Sequence, residues 1–187
     1  MTPTQNQPKK GSLLVAEPFL GDENFERSVV LLTEHNEDGS IGFVLNKPLE
    51  VKIDDIAIDF PTTNSIAHHG GPVQEDNLYF IHNKGNLLPG SDLIYNDWYW
   101  GGDLEPLKEL LGLGLIAKEN IRFYLGYSGW SAGQLDFEIS EKSWVVLEPG
   151  TVDVFNCTTK DLWKTALHTI GGSYPLWANS PVDPTLN

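Results

Sequence analysis

The chain has 187 residues, of which 40% are hydrophobic, and its 26 acidic and 12 basic side chains give a net charge of −14. This charge repels nucleic-acid backbones and anionic membranes, so it disfavours direct nucleic-acid binding. The single cysteine excludes an internal disulfide, and no apolar run reaches the roughly 20 residues that span a bilayer. The polar start of the chain lacks the apolar core of a signal peptide, and we therefore predict a cytoplasmic protein with no membrane contact.

The chain divides into three parts by composition. Residues 1–10 form a polar arm, and apolar character begins abruptly at Gly11. Residues 11–173 have the length and hydrophobic content of one domain. Residues 174–187 form a tail whose prolines at 175, 181 and 184 predict little regular structure.

In the first half of the chain, short apolar runs predict strands at 13–16, 28–32 and 41–45. The turn signal at 36–39 joins the last two runs as a hairpin. Between 51 and 60 the apolar residues are three and four positions apart, which predicts a short helix. The glycine-rich segment 68–72 predicts a turn, and a strand is expected at 78–81.

In the second half, Asp103 is a suitable N-cap for a helix that follows two glycines and ends near Gly112. A strand at 121–125 leads into the glycine-rich segment 126–133. Apolar and acidic residues alternate at 134–139, which is typical of a half-buried strand. Ser131 and Gln134, however, form a capping-box pattern that indicates a helix, and we favour the helix. Strands at 144–147 and 152–155 and a helix at 159–170 complete the prediction. Strands outnumber helices without alternating with them, which indicates the α+β class.

The sequence contains few signs of catalysis. Residues 126–130 resemble the nucleophile elbow around Ser128, but Trp130 stands where that elbow requires a glycine. His68 and His69 are adjacent, so in an extended chain they point to opposite sides and do not chelate one ion together. Phosphate-binding and dinucleotide-binding glycine motifs are absent from the sequence. We therefore predict no catalytic residue, no metal site and no cofactor.

Two other features have structural interpretations. Residues 95–100 include four aromatic side chains, which could stack on a planar ligand, a sugar or a partner, although packing in a core or an interface is favoured. Cys157 follows a predicted strand and is interpreted as a small buried hydrophobe.

Five ordered motifs resemble the AlgH/YqgE family of bacterial proteins, and the resemblance runs from about Gly11 to Gly172. They lie at residues 11–16, 25–35, 42–48, 70–73 and 126–135. The resemblance implies a single α+β domain, with a mixed or antiparallel bifurcated sheet folded toward a pseudo-barrel and a few flanking helices. It implies no established activity, although some members are labelled transcriptional regulators. This sequence departs from the common pattern at Ser128, where alanine is usual, and at Asp136, where glutamate is usual.

The resemblance, together with the absence of a coherent catalytic set, predicts a non-enzymatic regulatory domain that binds a small molecule or a protein. The alternative is an enzyme of unrecognised type that acts in a pocket formed by the motifs. A regulator that binds DNA directly ranks third, because of the charge. The candidate binding or fold-determining residues are Arg27, Glu34, His35, Asn46, His69, Gly70, Gly71, Tyr127, Trp130 and Gln134. Convergence of these side chains on one pocket would favour ligand binding or catalysis over a purely structural role.

Overall fold

Two continuous apolar strands separate two hydrophobic cores. The computed structural model describes residues 6–57, 59–156 and 158–180. Strand β1 (Leu13–Ala16) and the first half of β2 (Val29–Asn36) are buried on both faces. In β1, Leu13 and Val15 contribute to one core, whereas Leu14 and Ala16 contribute to the other. These strands lack polar alternation because neither face meets water.

Ten strands form one sheet, and the order along its main path is β10-β1-β2-β3-β9-β6-β8-β7, with β4 and β5 off this path. Every hydrogen-bonded pair is antiparallel except β5 with β9. The remaining strands are β3 (Gly39–Val44), β4 (Pro48–Lys52), β5 (Ile66–His69), β6 (Val73–His82), β7 (Ser91–Tyr95), β8 (Trp98–Gly101), β9 (Ile121–Ser131) and β10 (Trp144–Leu147).

The sheet forks at β9. Residues 121–127 of β9 pair with β6, whereas the opposite edge pairs with β5 through 123–125 and with β3 through 128–131. In the part of the chain that the structure describes, no pairing closes β7 onto β10, so the sheet is not a closed barrel. Ile94 of β7 and Trp98 of β8 nevertheless share a core with Leu13 of β1, because the sheet folds over on itself. The predicted α+β fold with a bifurcated sheet is confirmed.

Among the described residues, four short α-helices flank the sheet. They are α1 (Ile53–Ile56), α2 (Leu104–Gly112), α3 (Gln134–Ser140) and α4 (Leu162–Ile170). Helix α3 confirms the helical interpretation of residues 134–139. Helix α4 buries one apolar face in the core and ends at Gly171, whose φ of 74° is unfavourable for other residues. Single 3-10 turns occupy Lys118–Asn120 and Thr159–Asp161.

Several local predictions were wrong. The helix expected at 51–60 is limited to α1, because residues 51 and 52 belong to β4. His68 and His69 lie in β5 rather than in a turn. No strand forms at 152–155, where an Asp153 carboxylate oxygen accepts the backbone N–H groups of Phe155 and Asn156 in a local turn. The hairpin of β7 and β8 had not been predicted, and it turns the aromatic segment 95–100 toward the core.

The two ends of the chain are only partly described. Residues 1–5 of the arm, residues 181–187 of the tail and Cys157 lie outside the described residues. The tail begins with a 3-10 helix, Tyr174–Asn179, although its prolines had predicted no regular structure. Tyr174 and Trp177 pack against the core there. Within the described ranges, no helix is long and apolar enough to cross a membrane.

Candidate functional site

A hollow of about 310 Å³ lies where the end of β9 meets α3, the start of β10 and the loop before β2. We call it the Trp130 pocket. Trp130 is the penultimate residue of β9, and Gln134 begins α3 four residues later. The residues that line the Trp130 pocket are Leu20, Asp22, Phe25, Gly129, Trp130, Gln134, Glu138, Ser143 and Trp144.

The Glu138 carboxylate organises the pocket. Its Oε2 accepts the indole N–H groups of Trp130 and Trp144, each at 2.8 Å. Its Oε1 accepts the side-chain amide of Gln134 at 3.0 Å. The Gln134 amide oxygen in turn accepts the backbone N–H of Ser131 at 3.0 Å, so half of the predicted capping box is present. Each of these side chains is thereby held in one orientation before any ligand arrives.

Three aromatic rings form the apolar part of the pocket. Phe25 lies 6.0 Å from Trp130 and 5.4 Å from Trp144 between ring centroids, and the two indole rings are 6.0 Å apart in an edge-to-face arrangement. The side chains of Trp130 and Trp144 are almost fully buried, whereas that of Phe25 is half-buried. The two indole rings are therefore packed into the protein interior, and Phe25 is the ring that a ligand reaches most easily.

The pocket has a strongly negative character. Asp22 and Glu138 both line it, and its lining contains no lysine, arginine or histidine. Lys47 is near enough to Asp22 and Glu26 to feel their charge, but its ammonium group binds the carbonyl oxygens of Glu23 and Asn24. Glu138 accepts hydrogen bonds only from neutral groups. In the ranges that the structure describes, its charge has no ion-pair partner.

The other candidate residues only partly converge on this pocket. Glu34 lines a neighbouring hollow of about 230 Å³ that shares Trp130 with the first. His35 Nδ1 lies 2.8 Å from the hydroxyl of Ser40, which lines the same neighbouring hollow. Tyr127 belongs to a third hollow, of about 200 Å³, whose lining includes Tyr79.

Two candidates serve the fold instead. Asn46 bridges two backbone groups, since its Oδ1 accepts the N–H of Val29 at 2.8 Å and its Nδ2 donates to the carbonyl of Arg27 at 2.9 Å. Arg27 donates to the carbonyl of Ser180 at 2.7 Å and stacks its guanidinium 5.0 Å from the centre of the Trp163 ring. The Arg27 contacts fasten the segment before β2 to α4 and to Ser180, and the Asn46 contacts fasten it to the residues after β3.

His69, Gly70 and Gly71 lie at the fork of the sheet, away from the Trp130 pocket. Burial lowers the pKa of His69, so its ring is neutral at neutral pH although Glu75 lies 3.7 Å away. The Gly70 carbonyl accepts the backbone N–H of Val44 and the hydroxyl of Ser128. Ser128 is fully buried and binds β9 to the segment between β5 and β6, so it is not exposed to a substrate.

One basic hollow is separate from these residues. It measures about 290 Å³, and His68, Arg122, Lys118 and Glu119 line it. None of the ten candidate residues belongs to this lining. No cluster of three or more metal-ligating side chains occurs among the described residues.

The comparisons with known proteins identify the family. A sequence model described as AlgH-like matches residues 13–175, which is most of the chain. The chain belongs to the AlgH-like family. The UPF0301 protein of Cytophaga hutchinsonii is 42% identical over 179 residues, covering 95% of this chain and 98% of that protein. The UPF0301 protein CT0663 of Chlorobaculum tepidum is also 42% identical, with 96% of each chain covered.

Two solved structures have the same AlgH-like fold. The solution structure of AlgH from Pseudomonas aeruginosa has a TM-score of 0.72 at 28% identity, and the match covers 95% of this chain and 98% of that one. The crystal structure of protein DIP2367 from Corynebacterium diphtheriae has a TM-score of 0.73 at 22% identity, with 95% of each chain covered. The AlgH-like family has no established biochemical function, so a function for this chain must be inferred from the geometry of the pocket.

Sequence reasoning about this AlgH-like chain found Trp130 and Gln134 but missed their partners in the pocket. Glu138 follows Gln134 by four positions, which places both on one face of a helix, so this residue could have been found once α3 was favoured. Phe25 begins the family motif at 25–35, but no signal in the sequence links it, Asp22 or Trp144 to Trp130, because only the tertiary fold brings these residues to the end of β9.

The bridging role of Asn46 leads to a stability prediction. We expect Asn46→Asp to lower the free energy of unfolding by about 1–3 kcal/mol, because a carboxylate still accepts from Val29 but cannot donate to Arg27. Urea denaturation of the purified variant measures this loss. The matched control is Asn36→Asp at the exposed end of β2, where the side-chain oxygen accepts the N–H of Asp38, and we expect a change within about 0.5 kcal/mol. Equal effects would refute the bridging role.

Proposed function

We propose that this AlgH-like protein is a cytoplasmic, non-enzymatic regulatory domain that binds a small molecule or a protein partner in the Trp130 pocket. The observation that carries the proposal is that two residues of the family motifs, Trp130 and Gln134, are bound to one carboxylate inside a hollow. A hollow in which aromatic rings lie beside a few fixed polar groups can hold and orient a ligand.

The chemistry of the lining supports binding over catalysis. Ser143 is its only hydroxyl-bearing side chain, and the lining has no histidine, lysine or cysteine that could activate a nucleophile. Glu138 is held in one orientation by three hydrogen-bond donors, which suits a group that positions a ligand.

The alternative, an enzyme of unrecognised type, rests on the presence of two carboxylates in the same hollow. Asp22 and Glu138 both line it, and pairs of carboxylates perform general acid and base catalysis in some enzymes. The third possibility, direct DNA binding, conflicts both with the net charge of −14 and with this acidic lining. Regulation through a ligand or a protein avoids that repulsion.

Native mass spectrometry of protein purified gently from its own host tests the proposal. We expect the wild-type protein to retain a small molecule or a protein partner, and the Phe25→Leu variant to lose it, because Phe25 is the most accessible ring of the pocket. Phe137→Leu, which changes an exposed ring of α3 outside the pocket, is the matched control and should retain the same mass.

Two outcomes contradict the proposal. A bare wild-type chain, or a bound mass that both variants retain equally, would show that the Trp130 pocket is not the binding site. Chemical conversion of the bound molecule during incubation with the purified protein would instead favour the enzyme.

A further inference from the structure

We infer that the Trp130 pocket binds an organic cation, through an alkylammonium group such as a quaternary ammonium. This inference rests on the proposed function and names the chemical class of the ligand. Its starting point is the uncompensated charge of Glu138, a carboxylate that the fold has drawn away from bulk water into a hollow lined by three aromatic rings.

A partly buried carboxylate ordinarily has a cationic partner, because removing a charge from water is costly. Glu138 instead has three neutral donors, which orient it without cancelling its charge. Asp22 adds a second negative charge to the same lining, and the lining contributes no positive charge. The potential in the hollow is therefore negative, and the net charge of −14 strengthens it.

The apolar part of the lining selects the kind of cation. A metal ion requires several oxygen or nitrogen ligands, but Glu138 already uses its oxygens for the indole and amide donors. An alkylammonium group instead needs diffuse negative charge together with apolar surface for its carbon atoms. Phe25, Leu20 and the two indole side chains provide that surface beside the carboxylates. Inorganic phosphate and other anions are repelled by the same arrangement.

Nuclear magnetic resonance provides a direct test with the intact protein. The indole N–H signals of Trp130 and Trp144 report on the pocket, because both groups donate to Glu138 Oε2. Choline is the probe, and 3,3-dimethylbutan-1-ol is its control, since this alcohol has the same shape with a carbon atom in place of the charged nitrogen. We expect choline to shift both signals in a saturable way, with at least about tenfold tighter binding than the uncharged analogue.

Two variants distinguish the effect of the charge inside the pocket from the effect of the negative charge of the whole protein. We expect Glu138→Gln to weaken choline binding by about tenfold, because the amide oxygen can still accept from the indoles while the charge is lost. Glu141→Gln makes the same change in charge at an exposed position just beyond α3, and it should change binding by less than about twofold. If Glu138→Gln does not fold, Asp22→Asn provides the same comparison, because its side-chain oxygen can still accept from the N–H of Asn24.

A peptide containing trimethyllysine distinguishes the two sources of such a group. Tighter binding of the peptide would indicate a protein side chain, whereas tighter binding of choline would indicate a free small molecule, and both results support the inference. Equal binding of choline and its uncharged analogue, equal effects of Glu138→Gln and Glu141→Gln, or no saturable shift up to about 50 mM choline would overturn it. A neutral or anionic molecule retained in native mass spectrometry and lost in Phe25→Leu would overturn this inference but leave the proposed function intact.

Discussion

Substitution of Gly126 by alanine is expected to destabilise the protein by more than about 4 kcal/mol, or to prevent folding altogether. The reason is the route of the chain between β5 and β6, which pair with opposite edges of β9. To change edges, the chain crosses β9 at Gly126, and a Cβ atom there would lie 2.4 Å from the Gly71 carbonyl oxygen and 3.0 Å from that of Val73. Backbone atoms on both sides of this contact leave no side chain that could move aside.

Gly114→Ala is the matched control for this prediction. Gly114 and Gly126 have the same φ of 69°, so alanine suffers the same backbone strain at both positions. Nothing lies within 4 Å of a Cβ atom at Gly114. We expect Gly114→Ala to cost only about 1–2 kcal/mol in a urea denaturation experiment. Losses within about 1 kcal/mol of each other would show that the crossing has more room than the structure indicates.

The same crossing explains two of the candidate residues. A Cβ atom at Gly70 would lie 2.2 Å from the Gly126 carbonyl oxygen, and one at Gly71 would lie 2.4 Å from the carbonyl group of Tyr127. Gly70, Gly71 and Gly126 therefore let two segments of backbone pass in direct contact. These three glycines therefore belong to the fork of the sheet, and none of them lines the Trp130 pocket.

The second large effect is a loss of stability as the pH falls from about 6.5 to about 4. Burial, reinforced by the nearby Arg122 charge, lowers the pKa of His68 from 6.5 to about 4. In this range the unfolded chain binds a proton at His68 and the folded protein does not, so acid favours unfolding. The stabilisation associated with neutral His68 is fully present above pH 6.5. By pH 4 the free energy of unfolding has fallen by about 3 kcal/mol on account of this residue.

The free energy of unfolding, measured by urea denaturation between pH 7 and pH 4, tests this prediction. We expect His68→Leu to lose less stability than the wild-type protein over this range, by about 3 kcal/mol. Some dependence will remain, because burial also lowers the pKa of His69 and of His82. His168→Gln, at an exposed position on α4, should retain the wild-type dependence. An NMR titration in which His68 gains its proton near pH 6.5 would refute the prediction without any variant.

The elements that could be predicted were those with local causes. The apolar runs of β1 and β2 reveal buried strands, and the capping pattern of Ser131 and Gln134 identified α3 correctly against the alternation of its apolar residues. The errors arose where distant contacts decided the conformation. His68 and His69 follow no strand pattern of their own, but pairing with β9 makes them part of β5. The strand predicted at 121–125 is also longer than expected, because pairing with β3 and β6 keeps it extended through the glycine-rich segment to Ser131.

By itself, the sequence determined the α+β class, the family motifs, the acidic charge and most of the helices, because hydrophobic periodicity, capping and composition act over short distances. The contacts of the motif residues depend instead on the tertiary structure. It placed Arg27, Asn46, Gly70 and Gly71 in structural contacts, and it brought Phe25 and Trp144 to Trp130. Phe25 and Trp130 are more than a hundred positions apart, and no local preference specifies such a contact. The order and register of the strands specify it, and they are set by the packing of the whole sheet.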